Sequence, residues 1–109
     1  MSERIRKNMA LLELLNTSGP TQMKAIINSC LPEQIKTLVE VVFNVQFGTI
    51  TIPQKHISYI KNKKALIRSL TAKHTTSKER KALLENNPKL VATILSFSLG
   101  EIKKNLTNG

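Results

Sequence analysis

The sequence predicts an all-α fold: a compact bundle of five or six short helices in one domain, residues 1–109, with an extended linker near residues 49–52. Three observations support this prediction. Apolar residues recur at intervals of three and four along most of the chain. Prolines and glycines divide the chain into segments of helical length. The 109 residues are 40% hydrophobic but only 4% aromatic, which suits one small aliphatic core.

Two short helices are predicted before residue 30. Apolar residues at helical spacing indicate an amphipathic helix over residues 3–16, with Ser2 as its N-cap. Gly19 and Pro20 form the turn that follows, and Pro20 suits the first position of a second helix because its missing amide needs no partner there. The apolar residues of this second helix are Met23, Ile26 and Ile27.

A longer helix is predicted over residues 32–47. Glu33 lies in its first turn, where the helix dipole favours a negative charge. The body of this helix is apolar on nearly every side, so we expect it at the centre of the core, with Val42 and Phe43 both buried. Gly48 is suited to end it.

Residues 49–52 alternate like a strand, but no second run of this kind exists to pair with them, so we interpret them as an extended linker. Pro53 then begins a helix that is expected to break near Asn62. The apolar stripe of this helix comprises Ile57, Ile60, Leu66, Ile67 and Leu70. Thr76 and Glu79 match a capping box, in which each side chain accepts a hydrogen bond from the other residue's backbone N–H, and they begin a further short helix.

The last helix is predicted to begin at Asn87 and Pro88 and to run to about residue 105, with apolar residues on two faces. One face comprises Leu90, Ile94 and Phe97. The second comprises Val91, Leu95, Leu99 and Ile102. One interpretation is a core helix surrounded by the others. Because one face suffices to close so small a bundle, the other interpretation is a partly exposed second face that binds a capsid protein or a second copy in a weak homodimer.

Positive charge is concentrated in one segment. The chain carries 17 Lys and Arg against 7 Asp and Glu, for a net charge of +10. Residues 1–52 hold five basic and four acidic residues, whereas residues 53–81 hold nine basic residues and a single acid, Glu79. The nine are Lys55, Lys61, Lys63, Lys64, Arg68, Lys73, Lys78, Arg80 and Lys81. Because solvated helix faces usually mix both signs, we expect this segment to bind a polyanion.

The kind of contact follows from the residue types in this segment. Lys outnumbers Arg, and Tyr59 is the one aromatic residue between positions 53 and 81. This composition favours contacts with the phosphates of duplex DNA over base stacking or sequence readout. An anionic membrane surface, an acidic protein partner and a plainly solvated face are the alternatives. A helix-turn-helix reader has weak support, from Gln54, Lys55 and His56.

The sequence shows no constellation for catalysis or metal binding. His56 and His74 are too far apart to ligate a metal from one helix, and Cys30 is the only cysteine. The seven acids are scattered, and the four glycines form no phosphate-binding loop. We therefore predict a non-enzymatic protein without metal or cofactor. Since no signal-like run opens the chain and no apolar stretch approaches ~18 residues, we also expect an intracellular protein without a transmembrane segment.

Several short pieces of the chain, taken in order, resemble a known family. They are Lys24-Ala25-Ile26-Ile27, Asn44-Val45 with Gly48 and Ile50-Thr51-Ile52, Lys63-Lys64, Ile67-Arg68-Ser69-Leu70 with Lys73, and Lys81-Ala82-Leu83-Leu84. This arrangement resembles the small basic proteins encoded by adintoviruses and Polinton/Maverick elements, which are compared with adenovirus core proteins such as the mu peptide. The resemblance implies a virion core protein that binds DNA, found in the virion and in the host cell nucleus or cytoplasm.

The chain departs from that family in two places. Glu79 interrupts the Lys run that precedes the double Leu, and residues 85–89 with a capped helix replace the family's Gly-Gly-Phe and hydrophobic tail. No Gly-Gly pair of the kind that an adenovirus-type protease cleaves is present. These departures favour an alternative function, a helical adaptor or minor structural protein that docks an acidic or apolar surface of a capsid or host partner.

Overall fold

Helices make up the regular structure of this protein. The computed structural model describes residues 2–108, and within them the chain forms eight α-helices, one short 3₁₀ helix (Gln54–His56) and no strand. The helices are α1 (Glu3–Lys7), α2 (Met9–Asn16), α3 (Pro20–Asn28), α4 (Pro32–Gln46), α5 (Ile57–Asn62), α6 (Lys64–Thr71), α7 (Ser77–Glu85) and α8 (Pro88–Asn108). The Cα radius of gyration is 12.8 Å, and the extents are 34 × 30 × 29 Å. The predicted all-α, compact fold is therefore confirmed.

The helix ends follow local chemistry at the residues that the sequence indicates. At the start of α1, Ser2 Oγ accepts a hydrogen bond from the Ile5 N–H at 3.2 Å. At the start of α7, Thr76 Oγ1 accepts from the Glu79 N–H at 3.1 Å, and the Glu79 carboxylate accepts from the Thr76 N–H at 3.5 Å. Gly48 follows α4 with a φ of +81°, a left-handed conformation that glycine adopts without strain. These three predicted signals are confirmed.

The helix predicted over residues 3–16 is divided at Asn8. The Asn8 side-chain amide donates to the Arg4 carbonyl at 2.8 Å and to Thr37 Oγ1 at 3.0 Å. Thr37 is fully buried on α4, and its hydroxyl in turn donates to the Glu33 carbonyl at 2.9 Å. The division therefore coincides with a polar contact to the central helix, and it allows α1 to pack against α4 while α2 packs against α8.

The helix predicted after Pro53 is divided into the 3₁₀ helix, α5 and α6. The break expected near Asn62 falls at Lys63, whose φ of −100° and ψ of 13° separate α5 from α6. Helix α6 packs against α4 and α7, whereas α5 contacts the 3₁₀ helix and α6. The divisions of two predicted helices explain why the described chain contains eight α-helices instead of five or six.

Helix α4 lies at the centre of the bundle, as predicted, with α1, α6, α7 and α8 packed around it. Its buried apolar side chains are Ile35, Leu38, Val39, Val41, Val42 and Val45. The prediction that Phe43 is buried is wrong, since 46% of Phe43 is exposed against 4% of Val42. The surrounding helices leave one side of α4 open, where Phe43 lines a surface depression with Arg4 and Thr71.

Helix α8 is largely buried on both of its apolar faces, although Phe97 of the first face is only half-buried. Leu90 and Ile94 of the first face are buried, and so are the four residues of the second, at 5% exposure or less: Val91, Leu95, Leu99 and Ile102. The prediction of an exposed, partner-binding second face is therefore wrong. The physical reason is that α2, α3, α4 and α7 all pack against this one helix. None of the helices within residues 2–108, α8 included, has the length and apolarity to cross a membrane.

The linker near residues 49–52 is confirmed as a segment that is neither helix nor strand. Ile50 is fully buried, and its N–H donates to the Asn44 carbonyl at 3.0 Å, which closes the turn after α4. The Thr51 N–H donates to the Glu101 carboxylate at 3.1 Å, so the linker is also held to α8. These contacts fix the path of the chain between α4 and the basic segment that follows.

Candidate nucleic-acid interface

Six of the nine predicted cations are exposed on the surface of the bundle. They are Lys55, Lys61, Lys64, Arg68, Lys73 and Lys78. They extend from the 3₁₀ helix through α5 and α6 to the first turn of α7. The apolar stripe of the same segment faces the core, with Ile60, Ile67 and Leu70 buried and Ile57 and Leu66 half-buried. The 53–81 segment therefore separates its apolar and cationic side chains by face.

The other three cations are half-buried and contact the protein itself. Arg80 Nη2 donates to the Ala72 carbonyl at 2.8 Å, which joins α7 to the end of α6. Lys81 Nζ donates to the Asn28 carbonyl at 2.7 Å, at the C-terminal end of α3, where the helix dipole favours a cation. Lys63 Nζ lies 5.7 Å from the centre of the Tyr59 ring. These three residues stabilise the fold, and the six exposed cations remain for a ligand.

None of the nine cations forms an ion pair with another residue in the range 2–108. The ion pairs of the described residues instead involve Arg4, Arg6, Lys36 and Lys103. Glu79, the acid within the basic segment, accepts hydrogen bonds from the backbone and the hydroxyl of Thr76 in the capping box. The positive charge of residues 53–81 is therefore not neutralised by neighbouring carboxylates.

Three of the exposed cations line one groove, between the end of α4, the linker and helices α5 and α6. This groove, of about 520 Å³, is lined by Val45, Gln46, Phe47, Ile52, Ile60, Lys61, Lys64, Ile67 and Arg68. We call it the basic groove. Its lining contains three cations, four aliphatic side chains, an aromatic ring and no acid. The Gln46 side chain is held by Thr71, whose hydroxyl donates to Gln46 Oε1 at 2.8 Å.

The exposed cations are not confined to this groove, and one of the groove's own cations also faces a second depression. Arg68 also lines a depression of about 660 Å³ on the α7 side of α6, together with His74 and Glu79. Lys78 lines a smaller depression of about 270 Å³, near Cys30 at the end of α3. The structure therefore distributes the cations along the surface of α5–α7, an arrangement suited to an extended polyanion more than to a single small anion.

The aromatic residues beside the basic groove were not predicted as part of a site. Phe43 and Phe47 lie one helical turn apart at the C-terminal end of α4, with ring centroids separated by 4.5 Å. Phe43 is 46% exposed and Phe47 is 64% exposed. Their i, i+4 spacing was the available sequence signal, but only the fold brings Phe47 to the cations of α5 and α6.

The residues considered for chemistry are dispersed in the structure. His56 stacks on Phe97 with ring centroids 5.6 Å apart, whereas His74 lines the depression beside α7. Cys30 is buried, and this burial raises the pKa of its thiol although the nearby Lys81 charge acts to lower it. The thiol is therefore largely protonated at neutral pH. Within residues 2–108, no three His, Cys, Asp or Glu side chains come together in a way that would hold a metal ion.

Comparison of the chain with protein-family models, with curated proteins and with solved structures finds no match. The resemblance to the adintovirus and Polinton proteins therefore stays a prediction.

Proposed function

We propose that this protein binds duplex DNA without sequence specificity, through phosphate contacts made by the exposed cations of residues 53–81. The observation that carries the proposal is that these cations have no carboxylate partner within residues 2–108, although the chain contains seven acids. Unneutralised like charges repel one another in the free protein and attract polyanions. Phosphates would relieve this repulsion, and the release of their counterions would drive binding.

The residue types support contact with phosphates more than with base edges. Five of the six exposed cations are lysines, with Arg68 as the exception. A lysine ammonium binds phosphate as a point charge, whereas base-edge readout typically uses bidentate Arg, Asn or Gln side chains. We therefore expect similar affinity for unrelated duplex sequences.

The resemblance to adintovirus and Polinton proteins supports a more specific proposal. In it, the DNA is the packaged DNA of a virus or mobile element, and the protein is a virion core component that is also present in the host nucleus or cytoplasm. A second candidate is a helical adaptor that docks on a capsid or host protein. The observation that favours this candidate is the exposure of Leu31, Phe43 and Phe47 outside the core.

A salt-titrated binding assay with matched variants tests the proposed function. Fluorescence anisotropy of a labelled duplex of about 20 bp is measured between about 50 and about 200 mM salt. The first variant carries Lys61→Gln, Lys64→Gln and Arg68→Gln. We expect weaker binding and a shallower plot of log K against log salt, by about 0.9 in slope for each phosphate that the variant no longer neutralises.

The control variant carries Lys7→Gln, Lys24→Gln and Lys104→Gln. These three lysines are exposed and lie outside the basic segment, so the control loses the same net charge. Equal slopes for the two variants would contradict a localised DNA interface. Binding of the wild-type protein that does not depend on salt would contradict phosphate contact altogether and favour the adaptor.

A further inference from the structure

An exposed aromatic ring lies at the edge of the basic groove. Phe47, the residue that follows α4, is 64% exposed, and its ring is tilted by 47° against that of Phe43. The buried core of residues 2–108 contains no aromatic side chain, so the packing of the bundle does not require this ring. An aromatic pair left exposed next to a charged groove indicates contact with a ligand.

The lining of the basic groove combines two kinds of chemistry. Lys61, Lys64 and Arg68 supply positive charge, while Ile52, Phe47 and the buried aliphatic residues supply apolar surface. Contact with phosphates alone requires cations and no apolar surface. A nucleobase joined to its phosphates carries an apolar face and negative charge within the same nucleotide, and this combination fits the groove. The volume of about 520 Å³ is sufficient for a group of this size.

We infer that the basic groove binds an unpaired nucleobase of single-stranded nucleic acid, stacked on Phe47, while Lys61, Lys64 and Arg68 contact the flanking phosphates. In a paired duplex the base faces are covered by their neighbours, so this contact requires an unstacked base. The inference rests on the proposed function in taking nucleic acid as the ligand. It adds a preference for single strands, which the composition of residues 53–81 does not predict.

The positive charge of the protein and of the groove favours a nucleic acid as the ligand over a second copy of the same chain. The protein carries a net charge of +10, and the groove lining contains three cations and no acid. Two copies would therefore repel each other at this surface, whereas a polynucleotide is attracted to it. DNA and RNA share the required base and phosphate chemistry, so the experiment includes a probe of each.

The substitution Phe47→Ala separates the base contact from the phosphate contacts. Anisotropy titrations at one salt concentration use labelled oligo(dT) of about 20 nucleotides and a duplex of the same length. We expect Phe47→Ala to weaken oligo(dT) binding roughly 5- to 150-fold, the range for the removal of one stacking platform. Duplex affinity should change by less than about twofold, because the cations that contact phosphates remain.

Leu31→Ala is the matched control for this substitution. Leu31 is 66% exposed and precedes α4, at the opposite end of the helix from Phe47, so its truncation removes a comparable exposed apolar group outside the groove. We expect Leu31→Ala to bind both probes like the wild-type protein. An equal loss of oligo(dT) affinity in Leu31→Ala and Phe47→Ala would overturn the inference.

Phe47→Trp provides a direct optical signal, since the natural chain contains no Trp. Stacking of a base on the new indole should quench its fluorescence when oligo(dT) is added, and the paired duplex should have little effect. Repeating the titration with oligo(U) shows whether RNA is bound as well as DNA. Quenching by either single strand supports the inference.

The remaining outcomes separate this inference from the proposed function. If Phe47→Ala leaves oligo(dT) affinity unchanged while the Lys61, Lys64 and Arg68 variant weakens both probes, the base contact fails and duplex binding stands. An equal loss on both probes would mean that the ring inserts into duplex DNA, contrary to the inference. If the Trp signal responds to polyglutamate or to protein concentration but not to oligo(dT), the occupant is an acidic peptide or a second copy, and the inference fails. Failure of the wild-type protein to bind either probe overturns both proposals.

Discussion

Residues 2–52 and residues 53–81 are both largely helical but arrange their charges in opposite ways. In the first region Arg4 contacts two acids of α4, with Nε 3.1 Å from the Glu33 carboxylate and Nη1 3.1 Å from that of Glu40. These contacts join α1 to the central helix. In the second region no cation is paired with a carboxylate of the described chain, and the contacts that do form are with backbone carbonyls and the Tyr59 ring.

The bundle therefore does not need ion pairs to hold residues 53–81 against its core. Ile60, Ile67 and Leu70 are buried beneath the unpaired cations, and this apolar contact attaches α5 and α6 to the core. An exposed ion pair adds only about 0–1 kcal/mol, so its absence costs the fold little. The six exposed cations of residues 53–81 can therefore remain free for a ligand.

The largest change in the free energy of unfolding is expected from substitutions in the core that both regions share. Val42→Asp should lower the free energy of unfolding by roughly 3 kcal/mol or more, because it places a carboxylate without a partner among buried side chains. Phe43→Ala, one position along the same helix, should cost only about 1 kcal/mol, the scale of its aromatic contact with Phe47. Urea unfolding measures both values. Equal midpoints for Val42→Asp and the wild-type protein would contradict the central position of α4.

A smaller change in the free energy of unfolding is expected at the N-terminal cap of α7. There Glu79, the one acid of residues 53–81, forms the capping box with Thr76. Thr76→Ala should lower the free energy of unfolding by about 1 kcal/mol, because the Glu79 N–H loses its acceptor. Thr76→Ser keeps the hydroxyl and should behave nearly like the wild-type protein. Thermal unfolding should therefore give a lower melting temperature for Thr76→Ala than for Thr76→Ser. Identical melting temperatures for the two variants would exclude a stabilising cap.

In contrast to the substitutions above, removal of the Arg68 charge should stabilise the folded protein. Lys64 and Arg68 are like charges four residues apart on α6, so Arg68→Gln should raise the free energy of unfolding by about 0.2–0.5 kcal/mol at low salt. Arg6→Gln serves as the control in the first region, because Arg6 Nε lies 3.9 Å from the Glu3 carboxylate and its removal should bring no gain. Unfolding experiments at low and high salt test this difference. A loss of stability in Arg68→Gln at low salt would show that the cation supports the fold.

The smallest expected effect is on the pH dependence of stability, and it arises from the contact between Arg4 and Glu33 in residues 2–52. The hydrogen bond from Arg4 lowers the pKa of Glu33 from its usual value near 4.5. A carboxyl with a lowered pKa stabilises the folded state above the pKa of the unfolded chain, and this contribution is lost as the pH falls through the folded pKa. Glu33→Gln should therefore show a shallower fall in its urea midpoint on acidification than the wild-type protein. Arg4→Gln should show the same change, and an undiminished fall in both variants would contradict the contact.

Much of the secondary structure was predictable because helix ends depend on neighbouring residues. Ser2, the Thr76–Glu79 capping box and Gly48 mark ends that the structure confirms. The division at Asn8 was not predictable, since its side chain contacts Thr37, which lies 29 positions further along the chain. A polar contact between distant positions leaves no periodic signal in the sequence.

The candidate site was predictable in composition and not in arrangement. The excess of cations in residues 53–81 is visible in the sequence, but the contacts of Arg80 with Ala72 and of Lys81 with Asn28 depend on how α7 packs. The position of Phe47 also depends on packing, because this residue precedes the basic segment in sequence and lies beside its cations only in the folded groove.

The all-α class, most helix ends and the segment that carries the charge follow from the amino-acid sequence alone, because each of these depends on residue type and short-range spacing. Which apolar faces are buried depends instead on how the helices pack in three dimensions. Leu99 and Ile102 are buried because several helices surround α8, whereas Phe43 and Phe47 are exposed because the helices within residues 2–108 leave that side of α4 uncovered. Burial depends on how many neighbours pack around a helix, and those neighbours come from distant parts of the chain.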